Sequence, residues 1–107
     1  MATGRLYAPV QLGTGNTTVY TVPTGYYGVC NVSLTNTSTS SVTIQLALAS
    51  SASPATAEWI EFGTTIVAKG VFERTGLVLQ AGYYLVALAS TGAVVNATVY
   101  GIETSTT

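Results

Sequence analysis

Seven consecutive residues do most to limit what this chain can become. In Val42–Leu48 the apolar side chains Val42, Ile44, Leu46 and Leu48 alternate with Thr43, Gln45 and Ala47. Successive side chains of an extended strand point to opposite faces, so a period of two means a strand with one face for a core. The same alternation recurs along the chain. Leu6, Ala8, Val10 and Leu12 alternate with Tyr7, Pro9 and Gln11, and Pro9, which has no N–H, puts that first strand at an edge. Thr17–Val22 and Tyr27–Thr35 follow, the latter with Cys30, Val32 and Leu34 on one side. Trp59, Ile60 and Phe62 share a strand with Glu58 and Glu61, and Ile66-Val67 is a short extended piece. In Val71–Leu79, Leu77 and Leu79 have the parity of Val71, while Phe72, Arg74 and Val78 have the other. Tyr83–Ala89 is apolar on both faces, so it is expected to be covered twice, by the core and by another layer or subunit. Val95, Ala97 and Val99 alternate with Asn96, Thr98 and Tyr100 in the last strand, before a polar tail, Glu103–Thr107.

Turn-forming residues punctuate these runs: Gly13–Asn16, Pro23-Thr24-Gly25, Asn36–Ser41, Ser50–Thr56, Lys69-Gly70, Ala81-Gly82 and Thr91-Gly92. About eight short strands with turns every eight to twelve residues or so predict an all-β fold, a single antiparallel β-sandwich or jelly-roll-like domain. It spans residues 1–107, and a chain of that length buries roughly two-thirds of its unfolded surface, enough for one sandwich core. The octet Val22–Val29 (VPTGYYGV) is echoed by Leu79–Val86 (LQAGYYLV), and each precedes a strand, a small polar loop and another strand. Two related hairpins of this kind suit a pseudo-symmetric sandwich.

Charge is scarce. Only 7% of the residues are Asp, Glu, Lys or Arg, against about 25% in an ordinary soluble domain. A free monomer keeps its surface wet with such residues, so this chain has a Thr/Ser-rich surface and buries part of its outside against partners. Five of the seven charges, Glu58, Glu61, Lys69, Glu73 and Arg74, fall in one segment, which reads as a docking region. A net charge of −1 gives no basic stripe for nucleic acid and no basic patch for an anionic membrane. The N-terminus lacks a basic region followed by a long apolar run, and the longest apolar run is far short of the roughly 18 residues of a membrane helix.

Little here supports chemistry. There is no histidine, the commonest general base and metal ligand. Cys30 is alone, so no intramolecular disulfide forms, and its place beside Val32 and Leu34 reads as core. Glu58 and Glu61 are the one close pair of carboxylates, but in a strand they have opposite parity, and a glycosidase pair must face one cleft. Glu58 and Glu61 are expected to be solvated strand positions or to form salt bridges to Lys69 or Arg74; Glu73 and Arg74 also point apart, so each needs another partner or water. Gly13–Asn16 lacks the third glycine of a phosphate loop and precedes a strand, so it is a turn. No catalytic residue, cofactor or metal is expected. The tyrosine doublets Tyr26-Tyr27 and Tyr83-Tyr84 allow three roles: a sugar-stacking platform, anchors of a subunit interface, or core filling. Trp59 allows an interface or a core role. The candidate interface residues are Tyr83, Tyr84, Tyr26, Tyr27, Trp59, Glu73 and Arg74.

The segments YTVPTG (Tyr20–Gly25), WIE (Trp59–Glu61), GVFERTGLVL (Gly70–Leu79) with Ala81-Gly82, and GIE (Gly101–Glu103) carry a resemblance. The chain resembles small single-domain β-sandwich structural proteins of tailed bacteriophages, abundant in cyanophages, over about residues 18 to 103. ERTG, Glu73–Gly76, is the most specific part. Tyr83-Tyr84 stands where such proteins carry charge, and Ser33-Leu34-Thr35 replaces a Cys-Asn-Arg-like run. The resemblance implies a virion component without enzymatic activity, repeated on the head or tail surface. The expectation is a capsid decoration or cement protein, a homo-oligomer and in particular a trimer. It would be bound to the major capsid protein or other virion proteins. A tail, fibre or baseplate module, or a carbohydrate-binding sandwich, are the alternatives.

Overall fold

The structure, a computed structural model, describes residues 3–106. Its strands are β1 (Thr3–Arg5), β2 (Val10–Gln11), β3 (Thr17–Thr21), β4 (Tyr26–Asn36), β5 (Val42–Ala49), β6 (Trp59–Ile66), β7 (Val71–Leu79), β8 (Tyr84–Ala89) and β9 (Val95–Ser105). A 3-10 turn, Thr56–Glu58, precedes β6. The strands form two antiparallel sheets. Sheet A runs β1-β9-β4-β7, with β2 also pairing β9; sheet B runs β3-β8-β5-β6. This is the jelly-roll form of the expected sandwich, in which nearly every connection crosses from one sheet to the other.

The repeated octet explains the symmetry. Exchanging β2–β5 with β6–β9 turns the order β2-β9-β4-β7 into β6-β5-β8-β3, which is sheet B read from its other edge. The echoed residues form equivalent turns: Tyr26 N–H donates to Pro23 O at 3.2 Å, and Tyr83 N–H donates to Gln80 O at 3.1 Å. In each turn the third residue is a glycine with positive φ, Gly25 at 86° and Gly82 at 78°, a geometry that a Cβ disfavours. The two turns also bond each other, Val22 N–H to Tyr83 O and Gly82 N–H to Val22 O, both at 3.0 Å.

Alternation builds the core as expected. Cys30, Val32 and Leu34 of β4, Ile44 and Leu46 of β5, Leu85 and Ala87 of β8, and Val95, Ala97 and Val99 of β9 are buried in one cluster between the sheets. Two buried polar residues close its ends. Asn36 continues the inward row of β4, and its Nδ2 donates to Ser40 O, Ile66 O and Val67 O, while its Oδ1 accepts from the Ser38 N–H and hydroxyl. It therefore ties the β4–β5 loop to the β6–β7 turn. Glu103 ends the inward row of β9.

Glu58 falls in the 3-10 turn instead of the strand, and Ile66 joins β6 instead of a separate extended piece; three further local expectations change. The first strand is not continuous over Leu6–Leu12: it splits into β1 and β2, and between them only Leu6 reaches β9, its N–H donating to Val99 O at 2.9 Å. Pro9 has no hydrogen to offer the ladder, and Ala8 is exposed, so the sheet edge is paired at two points instead of along one run. The tail does not begin at Glu103; β9 pairs with β4 as far as Ser105. Along β7 a bulge between Arg74 and Leu77 reverses the parity, so Phe72 and Arg74 point inward with Leu77 and Leu79, while Val71, Glu73 and Val78 point outward. Gly76 (φ 70°) makes the bulge, and its N–H donates to Asn31 Oδ1 at 3.0 Å.

Candidate interaction surfaces

The five clustered charges are all engaged within the chain. Glu61 lies opposite Leu46 and faces inward from β6, an edge strand; Arg74 faces inward from β7, the facing edge of the other sheet. Arg74 Nη1 donates to Glu61 Oε2 in a salt bridge, and Thr64 Oγ1 donates to Glu61 Oε1 at 2.5 Å. The pair closes the open flank of the sandwich. An inward-pointing charge on an edge strand also discourages further strand pairing there. Glu58 lies in the 3-10 turn and bends back to the preceding loop, where its carboxylate accepts from Ala55 N–H at 2.8 Å and Ser50 N–H at 3.0 Å. These bonds, Ala55's first, hold its carboxyl below the usual range. Lys69 Nζ donates to Thr37 O at 3.0 Å, and the Tyr100 hydroxyl donates to Glu73 Oε2 at 2.7 Å. That last bond raises the Tyr100 phenol above its ordinary pKa.

A second polar pair sits inside. The Tyr20 hydroxyl donates to Glu103 Oε2 at 2.6 Å, with Tyr20 fully buried. Burial first, and then the carboxylate, push the Tyr20 phenol far above its usual range. Cys30, also buried, is raised to about 11 by desolvation, which keeps it a thiol. Sequence reading missed Tyr20, Glu103 and Asn36 as structural groups. The signal was present for two of them: Asn36 and Glu103 sit in phase with the inward rows of β4 and β9. The segments YTVPTG, WIE, ERTG and GIE meet through these pairs. Arg74 of ERTG joins Glu61 of WIE, and Tyr20 of YTVPTG joins Glu103 of GIE. Their role in this fold is to hold its edges and interior together.

The tyrosine doublets each divide between two sides. Tyr26 and Tyr83 are half-buried against the core. Tyr27 lies on the outward face of sheet A and Tyr84 on the outward face of sheet B. The two outward rings are therefore on opposite sides of the sandwich and make no common sugar-stacking platform.

Both outward faces carry apolar side chains. On sheet B, Tyr84, Val86 and Leu88 of β8 face away from the core, beside Ala47 and Ala49 of β5. Trp59 lies opposite Ala47, and Phe62 opposite Gln45. Trp59 and Phe62 meet edge to face with centroids 6.0 Å apart, and Phe62 is 72% exposed. Val86, Ala47 and Ala49 are buried beneath their neighbours yet stand outside the central cluster. On sheet A, cross-strand pairing aligns Ile102, Val29 and Val78, exposed by 48%, 40% and 62%. A shallow groove of about 310 Å³, lined by Pro9, Val10, Gln11, Asn96 and Thr98, borders this face. Among the described residues no group of three or more His, Cys, Asp or Glu is placed to hold a metal ion, and no helix is long and apolar enough to cross a membrane.

The chain matches no protein-family model, no curated protein and no solved structure.

Proposed function

We propose that this chain is a structural protein of a tailed-phage virion, without enzymatic activity: a capsid decoration protein that reinforces the shell through repeated contacts with the major capsid protein. One observation carries the reading. The outward face of sheet B presents Tyr84, Leu88, Trp59 and Phe62 around buried Val86, Ala47 and Ala49, and no charged side chain points outward from any of its strands. A contiguous apolar face with aromatic anchors is the composition of the centre of a protein–protein interface. The resemblance in ERTG, WIE and GIE supports the same class. Four of the five clustered charges, Glu58, Glu61, Lys69 and Arg74, are likewise engaged inside the chain and leave this face uncharged. Many copies on one particle turn a modest contact into firm adhesion, which suits a small domain with a limited face.

Immunogold labelling of purified particles tests this. Labelling over the head supports a decoration protein, and labelling confined to the tail or baseplate reassigns the chain to those structures. A protein recovered only as a free, stable monomer, with none in purified particles, overturns the virion reading.

A further inference from the structure

Unlike that of sheet B, the outward face of sheet A carries opposite charges at its two margins. Pairing places Thr3, Ile102, Val29 and Val78 in one row across β1, β9, β4 and β7. One outward step along, Arg5 stands at the β1 margin, opposite Tyr100. A further outward step along, Glu73 stands at the β7 margin, opposite Ser33. Arg5 is exposed, and Glu73 is exposed too, holding only the Tyr100 hydroxyl.

We infer that this face is self-complementary and pairs two copies of the chain about a two-fold axis parallel to the strands. Such a rotation lays the apolar row on itself, Val29 against the second copy's Ile102 and Val78 against its Thr3. It also brings the Arg5 margin of each copy over the Glu73 margin of the other, one outward step away. One outward step is about 7 Å along a strand, a span that the long arginine and glutamate side chains bridge. A two-fold contact repeats every interaction, so one Arg5–Glu73 pair forms at each margin of a shared apolar centre. The orientation is specified because a copy turned end for end would bring neither charge to its partner.

Size sets the strength. Four strands about 4.8 Å apart, over eight steps of about 3.3 Å, bound the footprint at roughly 500 Å² per copy, β1 being shorter than the rest. The total of roughly 1,000 Å² is at the lower bound of specific association, the size of weak and transient contacts. The pairing is a property of the free chain and stands apart from virion assignment.

Sedimentation of the purified full-length chain over a concentration series tests it. The expected result is a reversible monomer–dimer equilibrium. Arg5→Glu alone and Glu73→Arg alone each raise the dissociation constant by about tenfold, and the double reversal restores it. Val78→Lys abolishes the dimer while leaving the circular dichroism spectrum and melting unchanged. A monomer at all concentrations overturns the inference, as does the trimer expected from the sequence. So does a dimer indifferent to Val78→Lys, or a double reversal as weak as its parents.

Discussion

The two outward faces of the sandwich rest on one core, yet they are built differently. Sheet B faces outward with Trp59, Phe62, Tyr84 and Leu88 over buried alanines, and its strands contribute no outward charge. Sheet A places three exposed aliphatic residues, Val29, Val78 and Ile102, in a single row, surrounds them with Thr, Ser, Asn and the phenols of Tyr27 and Tyr100, and sets Arg5 and Glu73 at its margins. An aromatic face without charge adheres strongly but specifies orientation weakly. A narrow apolar row between opposite charges adheres weakly and specifies orientation well. The difference suggests two duties for one domain, holding to a large partner through sheet B and to another copy through sheet A.

The largest expected effect strikes the sheet beneath one of the two faces. A Cβ at Gly101 would lie 2.1 Å from Val29 O, so Gly101→Ala must force β9 from β4 in the middle of sheet A. The expected cost is about 3 kcal/mol or more, read as a loss of chemical-denaturation stability. An unchanged midpoint would mean that the centre of sheet A is softer than its packing implies. Next, Trp59→Ala combined with Phe62→Ala strips the aromatic anchors from sheet B. Particle binding should weaken by about 2–4 kcal/mol in a reconstitution assay, while sheet A self-association stays as it was. Equal loss from both would merge the two faces into one. Val78→Ser is smaller: about 1 kcal/mol of self-association, with monomer stability within about 0.5 kcal/mol of the parent, since Val78 is 62% exposed.

The last two effects concern groups outside both faces and serve as controls. Glu58 has its carboxyl lowered by the Ala55 and Ser50 amides. A depressed folded-state pKa stabilises above the unfolded value and is lost as pH falls through the folded one. Glu58→Gln should therefore flatten the acid side of the stability profile slightly, without touching either association. Cys30, buried and raised to about 11, should resist a thiol reagent until denaturant opens the core. Labelling of the native protein at the unfolded rate would show that the sheets part readily.

Much of the fold was legible along the chain because burial between two sheets demands alternation. Cys30–Val32–Leu34 and Val42–Ile44–Leu46 read as inward rows and are inward rows. The octet repeat pointed to a pseudo-symmetric pair of hairpins, and the twin glycine turns carry that symmetry. The errors arose where one residue interrupts the count. Gly76 inserts a bulge and turns Arg74 inward, where parity counted from Leu77 had placed it on the far side. Pro9 breaks the first strand in two. The candidate surface was legible in part. The double apolarity of Tyr83–Ala89 announced an outward apolar face, whereas the intrachain bonds of four clustered charges, Glu58, Glu61, Lys69 and Arg74, which close an edge, a turn and a loop, were not legible.

By itself the sequence determined that this protein is an all-β sandwich with a poorly charged exterior, because residue-by-residue alternation and composition are local properties that survive without coordinates. Only the tertiary structure decided which residues share a row. Val29, Val78 and Ile102 are far apart in the chain and are joined by strand register, and Arg74 finds Glu61 only because β6 and β7 end the two sheets on the same flank. Register depends on hydrogen bonds between distant strands and on bulges of a single residue, and one step of slip exchanges inside for outside.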